Sequence, residues 1–125
     1  MDYDVRSHLR QVKDSLSEDV CLVAISKFHP NEHIMAAYEE GQRVFGESHE
    51  QELARKHESL PADIIWHFIG HLQTNKVRFI VPYISMIESV DSIKLMREIN
   101  KQAAKIDRVI DILIELHIAE EETKY

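Results

Sequence analysis

Lys27 is the residue whose type and place are best suited to chemistry. Residues 20–26 read VCLVAIS, an apolar run too short for a helix of its own, and Lys27 follows it directly within SKFHP. On a strand, Lys27 shares a face with Val23 and Ile25, because side chains alternate. At the carboxyl end of a parallel strand, partial burial lowers the pKa of a lysine, and its neutral amine can attack a carbonyl carbon. The alternative is a surface lysine whose ammonium extends into water.

Two histidines raise a metal hypothesis. His67 and His71 are four residues apart, a spacing that puts two metal ligands on one face of a helix. Residues 64–70 read as a strand, however, and on a strand these two side chains lie far apart. No carboxylate completes an H-E-x-x-H spacing. We therefore expect no metal site.

Segments typical of strands and of helices alternate along the chain. Apolar runs predict strands at residues 20–26, 43–46, 64–70, 85–90 and 109–119. Helical patterns cover residues 4–16, 31–40, 47–59, 74–80 and 93–105. Pro30 and Gly41 bracket the second helix, and Asp91 or Ser92 can cap the last one, whose face is expected to carry Ile93 and Ile99. The near-continuous apolarity of residues 20–26 and 64–70 predicts strands covered on both faces.

The alternation of strands and helices predicts an α/β fold with a parallel sheet and right-handed crossovers. Two architectures satisfy this order: an open doubly wound sheet, as in flavodoxin, and a (β/α) barrel of the TIM type. A complete barrel takes about 250 residues. With 125 residues in one domain, the chain can hold about half a barrel, or five strands. The order of elements alone does not choose between the two.

Composition limits the classes of partner. The formal net charge of −7 argues against general nucleic-acid binding, which needs a basic face. No apolar run reaches the roughly 20 residues of a membrane-spanning helix, and the first residues do not read as a signal peptide. We therefore expect a cytoplasmic protein without a membrane partner. Cys21 is the single cysteine, so no intramolecular disulfide can form, and its apolar neighbours predict a buried thiol.

Five segments carry a resemblance to a known family. LVAISKFHP, GQRVFGESHEQEL, IIWHFIGHLQTNKV, SVDS and HIAEEETK occur in this order from residue 22 to residue 124. Together they resemble the YggS/PROSC family of pyridoxal-phosphate homeostasis proteins, over its amino-terminal half. The resemblance implies a (β/α) barrel like the amino-terminal domain of alanine racemase. It also implies that pyridoxal 5′-phosphate is held as a Schiff base on Lys27.

The same motifs imply roles for other positions. Ser48 stands where the family typically has an asparagine near the cofactor, and it keeps an oxygen acceptor but loses the amide donor. His67 and Gly70 match positions at the barrel mouth. His67 can stack on or bond near the cofactor ring, or it can be a half-buried structural histidine. His117 replaces an asparagine of many relatives, and Lys124 is either a second amine near the mouth or a solvated charge.

The resemblance predicts a cofactor-binding protein of intracellular pyridoxal-phosphate homeostasis, without established turnover of a substrate. In the family, the phosphate is held by strands six to eight, so we expect weak binding by five strands alone. The first alternative is a truncated or engineered half-barrel that self-associates as an interaction module without cofactor. The second is a flavodoxin-like domain with an unrelated ligand. Unpaired sheet edges also predict a homodimer.

Overall fold

The computed structural model of the chain describes residues 4–116. The predicted alternation is confirmed within this range. β1 is shorter than expected, and β2 ends at Glu47, which was assigned to the next helix. The elements in chain order are α1 (Val5–Asp14), β1 (Ala24–Ile25), α2 (Asn31–Glu39), β2 (Val44–Glu47), α3 (Glu50–Ser59), β3 (Ile65–Phe68), a 3₁₀ turn (Thr74–Lys76), α4 (Val77–Ile80), β4 (Met86–Val90), α5 (Ile93–Lys105) and β5 (Asp111–Ile114).

The order of strands in the sheet decides between the two candidate architectures. All five strands pair in parallel, in the order β1-β2-β3-β4-β5. A doubly wound sheet reverses its direction of growth at a switch point, whereas here each strand is added on the same side of the last. Right-handed crossovers that all run one way place the helices on one face of the sheet. The fold is therefore a partial (β/α) barrel of the TIM type.

The core lies between the sheet and its helices. Phe45, Trp66, Phe68 and Ile87 alternate along β2, β3 and β4 on this outer face and are at most 2 % exposed. The opposite, inner face is open: Ile25 and other apolar side chains of this face, such as Ile65 at 41 %, are exposed. The expectation that residues 20–26 and 64–70 are covered on both faces is wrong, because the described elements cover only the outer face.

Local signals explain where most helices begin and end, and two side-chain expectations fail. The Asp4 carboxylate caps α1, and the Ser92 hydroxyl caps α5. Gly41, with a φ of 97°, follows α2 in the left-handed region that glycine adopts without strain. Ile93 is exposed, because the buried face of α5 consists of Leu95, Ile99 and Ala103. Cys21 is also exposed, since residue 21 lies outside the short β1.

Candidate functional site

Lys27 lies in a tight turn directly after β1. The backbone N–H of His29 donates to the carbonyl of Ser26 at 3.0 Å and closes the turn, with Lys27 in second place. Phe28, in third place, has a φ of 66°. A bulky side chain rarely adopts this left-handed region, and the strain is on the order of 1–3 kcal/mol. The Lys27 side chain is exposed, so the described residues do not provide the partial burial expected for it.

A buried ionic network lies beneath this turn and consists of Ser26, Glu47, Glu52 and Lys56. The Lys56 ammonium donates to one oxygen of Glu47 and one oxygen of Glu52, each at 2.8 Å. It also donates to the backbone carbonyl of Ser26 at 2.8 Å. The Ser26 hydroxyl donates to the same Glu47 oxygen at 2.5 Å. Glu47 and Lys56 are 0 % and 2 % exposed, so water does not screen their attraction.

Glu52 links this network to the far side of the turn. Its Oε2 accepts the backbone N–H of Phe28 at 2.7 Å, in addition to the Lys56 ammonium. Burial raises the pKa of the Glu52 carboxyl, but the hydrogen bonds from Lys56 and Phe28 and the charge of Lys56 outweigh it. The pKa of Glu52 therefore lies below its ordinary value. Its carboxylate is the stable form at neutral pH.

The inner face of the sheet carries a histidine–carboxylate pair. Ile25 pairs with Gly46, Gly46 with His67, and His67 with Met86, so these four residues form one row across β1 to β4. The Nδ1 of His67 lies 2.8 Å from an oxygen of Glu88 on β4. The two side chains are 12 % and 28 % exposed. The contact fixes the ring of His67 and leaves its Nε2 available for a further partner.

Gly70 brings the carboxyl ends of β2 and β3 together. A Cβ atom at position 70 would lie 2.7 Å from the Ser48 carbonyl oxygen and 2.9 Å from its Cα. Only glycine permits this approach, because the neighbouring atoms belong to the backbone and cannot rotate away. The Ser89 hydroxyl of β4 donates to the Gly70 carbonyl, so three strand ends are joined here. Gly70 thus sets the place of Ser48.

The structure brings some of the predicted site residues together. Ser48 and Gly70 are in direct backbone contact, and His67 lies on the inner face of the adjoining strand. Lys27 follows β1 at the same end of the sheet, but among residues 4–116 no hydrogen bond or ion pair joins it to the other three. His117 and Lys124 lie outside the described residues.

Sequence reasoning missed Glu52, Lys56 and Glu88. The strand–helix boundary was also misplaced, since Glu47 ends β2 and does not begin α3. One signal for Lys56 existed. It lies three residues after Leu53, in the stripe of α3 where a buried apolar residue is expected, and both residues are buried. A charged residue in an apolar stripe indicates a buried partner. Glu88 gave no comparable signal, because its contact with His67 depends on the register between β3 and β4.

Residues 4–116 contain neither a cluster of metal ligands nor a helix that could span a membrane. In this range, no group of three or more histidine, cysteine or acidic side chains is arranged to hold a metal ion. His67 lies on β3 and bonds Glu88, whereas His71 is exposed beyond Gly70, so the two do not share a helical face. None of the helices described is both long and apolar enough to cross a bilayer.

Curated proteins with related sequences share one name. The chain is 39% identical over 122 residues to the pyridoxal phosphate homeostasis protein of Schizosaccharomyces pombe, covering 96% of this chain and 51% of that protein. It is 44% identical over 104 residues to the protein of the same name from Aquifex aeolicus, covering 82% and 46%. The chain thus spans about half the length of the curated relatives it matches. No protein-family model matches it.

Solved structures give the same relationship. PipY of Synechococcus elongatus, determined without PLP, superposes with a TM-score of 0.88 at 34% identity, over 96% of this chain and 57% of that chain. The PipY structure with PLP bound gives a TM-score of 0.85, also at 34% identity, over 94% and 56%. The partial barrel therefore matches a fold that carries PLP in a relative.

Proposed function

We propose that the chain, which matches pyridoxal phosphate homeostasis proteins over about half of their length, belongs with them and binds pyridoxal 5′-phosphate covalently on Lys27. One observation carries the proposal: Lys27, the second residue after β1, lies on a strained turn that a buried network holds. A strained backbone persists where the surroundings fix it, and such places cluster at ligand sites. The amine is exposed and therefore accessible to a carbonyl compound.

The residues around the turn fit this ligand. Lys27 would hold the group through its amine, with a C=N bond in place of the aldehyde C=O and the loss of one water molecule. The open inner face beside it, with the exposed Ile25, offers apolar surface for a flat ring. His67, fixed by Glu88, and the Ser48 hydroxyl would supply polar contacts at the same end of the sheet. The bound group supplies a reactive aldehyde, and the chain supplies its attachment and orientation.

The role that fits these relatives is reversible storage of the cofactor, without turnover of a substrate. Their shared name describes homeostasis of pyridoxal phosphate, and the imine on a lysine is a link that water reverses. We place the protein in the cytoplasm. An exposed single cysteine that cannot pair within the chain is compatible with a reducing compartment.

A spectroscopic test decides whether Lys27 carries the cofactor. Adding pyridoxal phosphate to the chain should give the visible absorbance of a lysine imine, and borohydride reduction followed by peptide mapping should place the adduct on Lys27. The variant Lys27→Ala should lose both signals, whereas Lys101→Ala, an exposed lysine of α5, should keep them. An adduct spread over surface lysines, or a wild-type chain that folds but takes up no cofactor, favours the alternative of an interaction module without ligand.

We also propose that two copies associate through their open sheet edges. In the described sheet, β1 and β5 each have one unpaired edge. On β5, Leu113 and Ile114 are 49 % and 59 % exposed. Unpaired strand edges with exposed apolar side chains favour pairing with another chain. A second copy of the same chain offers the complementary edge.

Analytical ultracentrifugation tests this association. At tens of micromolar we expect a dimer, and Ile114→Lys should shift the equilibrium toward monomer because the edge then carries a charge. Phe79→Lys is the matched control, since Phe79 is 44 % exposed on α4, away from both edges. A wild-type monomer throughout this concentration range contradicts the proposal.

A further inference from the structure

We propose that Glu52 and Lys56 of α3 are positioning residues, which hold the turn from both sides and thereby set where the Lys27 amine lies. The inference rests on the proposed function, which names Lys27 as the attachment residue. It adds two residues that neither the motif reasoning nor the relatives' names assign. Neither residue would touch the cofactor, so both would act through the backbone of the turn.

The contacts flank Lys27 directly. The Ser26 carbonyl belongs to the peptide bond that precedes Lys27, and it accepts the Lys56 ammonium at 2.8 Å. The Phe28 N–H belongs to the peptide bond that follows, and it donates to Glu52 at 2.7 Å. Both peptide planes next to the Cα of Lys27 are therefore fixed, while the side chain itself stays free to react.

The two holding groups form one unit. Glu52 and Lys56 are one helical turn apart on α3 and bond each other at 2.8 Å. Lys56 is anchored in the core by Glu47, and that pair is 3 % and 0 % exposed at the side chains. The turn is thus tied to a rigid helix and to the end of β2, and not to another loop. Rigid elements place a reactive group more accurately than loops do.

The stability of the core alone does not explain why a second carboxylate, that of Glu52, lies beside Lys56. Glu47 already neutralises the buried ammonium, so the fold needs no second carboxylate for charge balance. The Glu52 oxygen instead accepts the N–H of Phe28, the residue with the positive φ. A non-glycine residue keeps this conformation only where its surroundings hold it. Glu52 supplies the hydrogen bond that does so.

The test compares four variants with the wild-type chain. Glu52→Ala removes the acceptor for Phe28 but keeps the Glu47–Lys56 pair, so the core charges remain balanced. Glu52→Asp keeps the charge but shortens the reach by one methylene. Glu52→Gln is the rescue variant, because its amide oxygen can accept the same N–H. Glu50→Ala is the matched control: Glu50 also lies in the first turn of α3 and pairs with a lysine, Lys76, at 3.7 Å.

Two readouts separate positioning from folding. Without cofactor, amide hydrogen exchange at Phe28 and His29 should speed up by about tenfold in Glu52→Ala and Glu52→Asp. With cofactor, the imine absorbance should require about tenfold or more pyridoxal phosphate to saturate. Glu52→Gln should return both values toward those of the wild-type chain. Glu50→Ala should match the wild type in both readouts, and thermal denaturation should show that every variant is folded at the temperature of the measurements.

The possible results separate the positioning role of Glu52 from the proposed function of Lys27. Unchanged exchange and affinity in Glu52→Ala and Glu52→Asp overturn the inference, and so does an equal loss in Glu50→Ala. A wild-type chain that forms no imine on Lys27 contradicts the proposed function. The hydrogen-exchange rates at Phe28 and His29 then still test whether Glu52 holds the turn. Faster exchange in Glu52→Ala with an unchanged imine affinity supports a held turn but overturns its role in positioning the amine.

Discussion

Lys56→Met is expected to lower the free energy of unfolding by about 3–5 kcal/mol, the effect of breaking a buried ion pair from one side. The ammonium of Lys56 faces three oxygens, one each from Ser26, Glu47 and Glu52. Methionine fills a similar volume but donates no hydrogen bond. Glu47, which is 0 % exposed, is then left as a carboxylate without its cation. Urea denaturation should show a lower midpoint at an unchanged m-value.

Two further variants show whether burial of the charge is the cause. Lys76→Met removes a pair at 3.7 Å in which the lysine side chain is 36 % exposed, and such a pair contributes only about 0–1 kcal/mol. The double variant Glu47→Gln with Lys56→Met should be more stable than Lys56→Met alone, because it removes the unpaired charge as well. Equal midpoints for Lys56→Met and Lys76→Met would show that the buried network does not stabilise the fold.

The order of elements could be predicted because local signals mark it. Short apolar runs separate amphipathic segments, and Pro30 and Gly41 bracket α2, which ends at Glu39, one residue before the predicted end. Asp91 and Ser92 were the two candidate caps of α5, and the hydroxyl of Ser92 caps it. These signals act over a few residues, so they do not depend on the rest of the fold. The choice between barrel and open sheet needed the strand order, which is a property of the whole sheet.

The exposure of the inner face could not be read from the sequence. Ile25 and Ile65 have the apolar character of strands covered on both sides, yet they are 51 % and 41 % exposed. Hydrophobicity records which surfaces can be buried, and not which elements are present to bury them. The same limit applies to Cys21, whose apolar neighbours suggested burial although it is exposed. Residue 21 lies before β1, outside the strand pairing.

Only part of the proposed site could be named from the sequence, because some of its residues carry local signals and others are brought in by packing. Lys27 could be singled out because its place after an apolar run is a local feature, and the motifs pointed to Ser48, His67 and Gly70. The residues that hold Lys27 come from α3, with Lys56 30 residues away from Ser26 in sequence. Charges on a helix usually face water, so the sequence of α3 alone does not single out Glu52 and Lys56 as partners of this turn. Only the packing of α3 against the strand ends brings them to the turn.

Gly70→Ala is expected to destabilise the chain by about 1–3 kcal/mol and to displace Ser48, because the added methyl group has no room. It would lie 2.7 Å from the Ser48 carbonyl oxygen and 2.8 Å from the Ser48 Cβ. These atoms can only move if the end of β2 moves with them. That movement would also disturb the hydrogen bond from the Ser89 hydroxyl to the Gly70 carbonyl. Urea denaturation measures the first effect, and amide exchange at Ser48 measures the second.

Gly46→Ala is the matched control for this close approach. A Cβ at position 46 would meet the ends of the Ile25 and Ile69 side chains at 3.3 Å, and these can shift by a few tenths of an ångström. Alanine also restricts the unfolded chain more than glycine does, so we expect a change within about 1 kcal/mol. The contrast isolates the backbone contact, since both substitutions add one methyl group at the strand ends. If Gly70→Ala unfolds at the same urea concentration as Gly46→Ala, the contact between β2 and β3 does not require glycine.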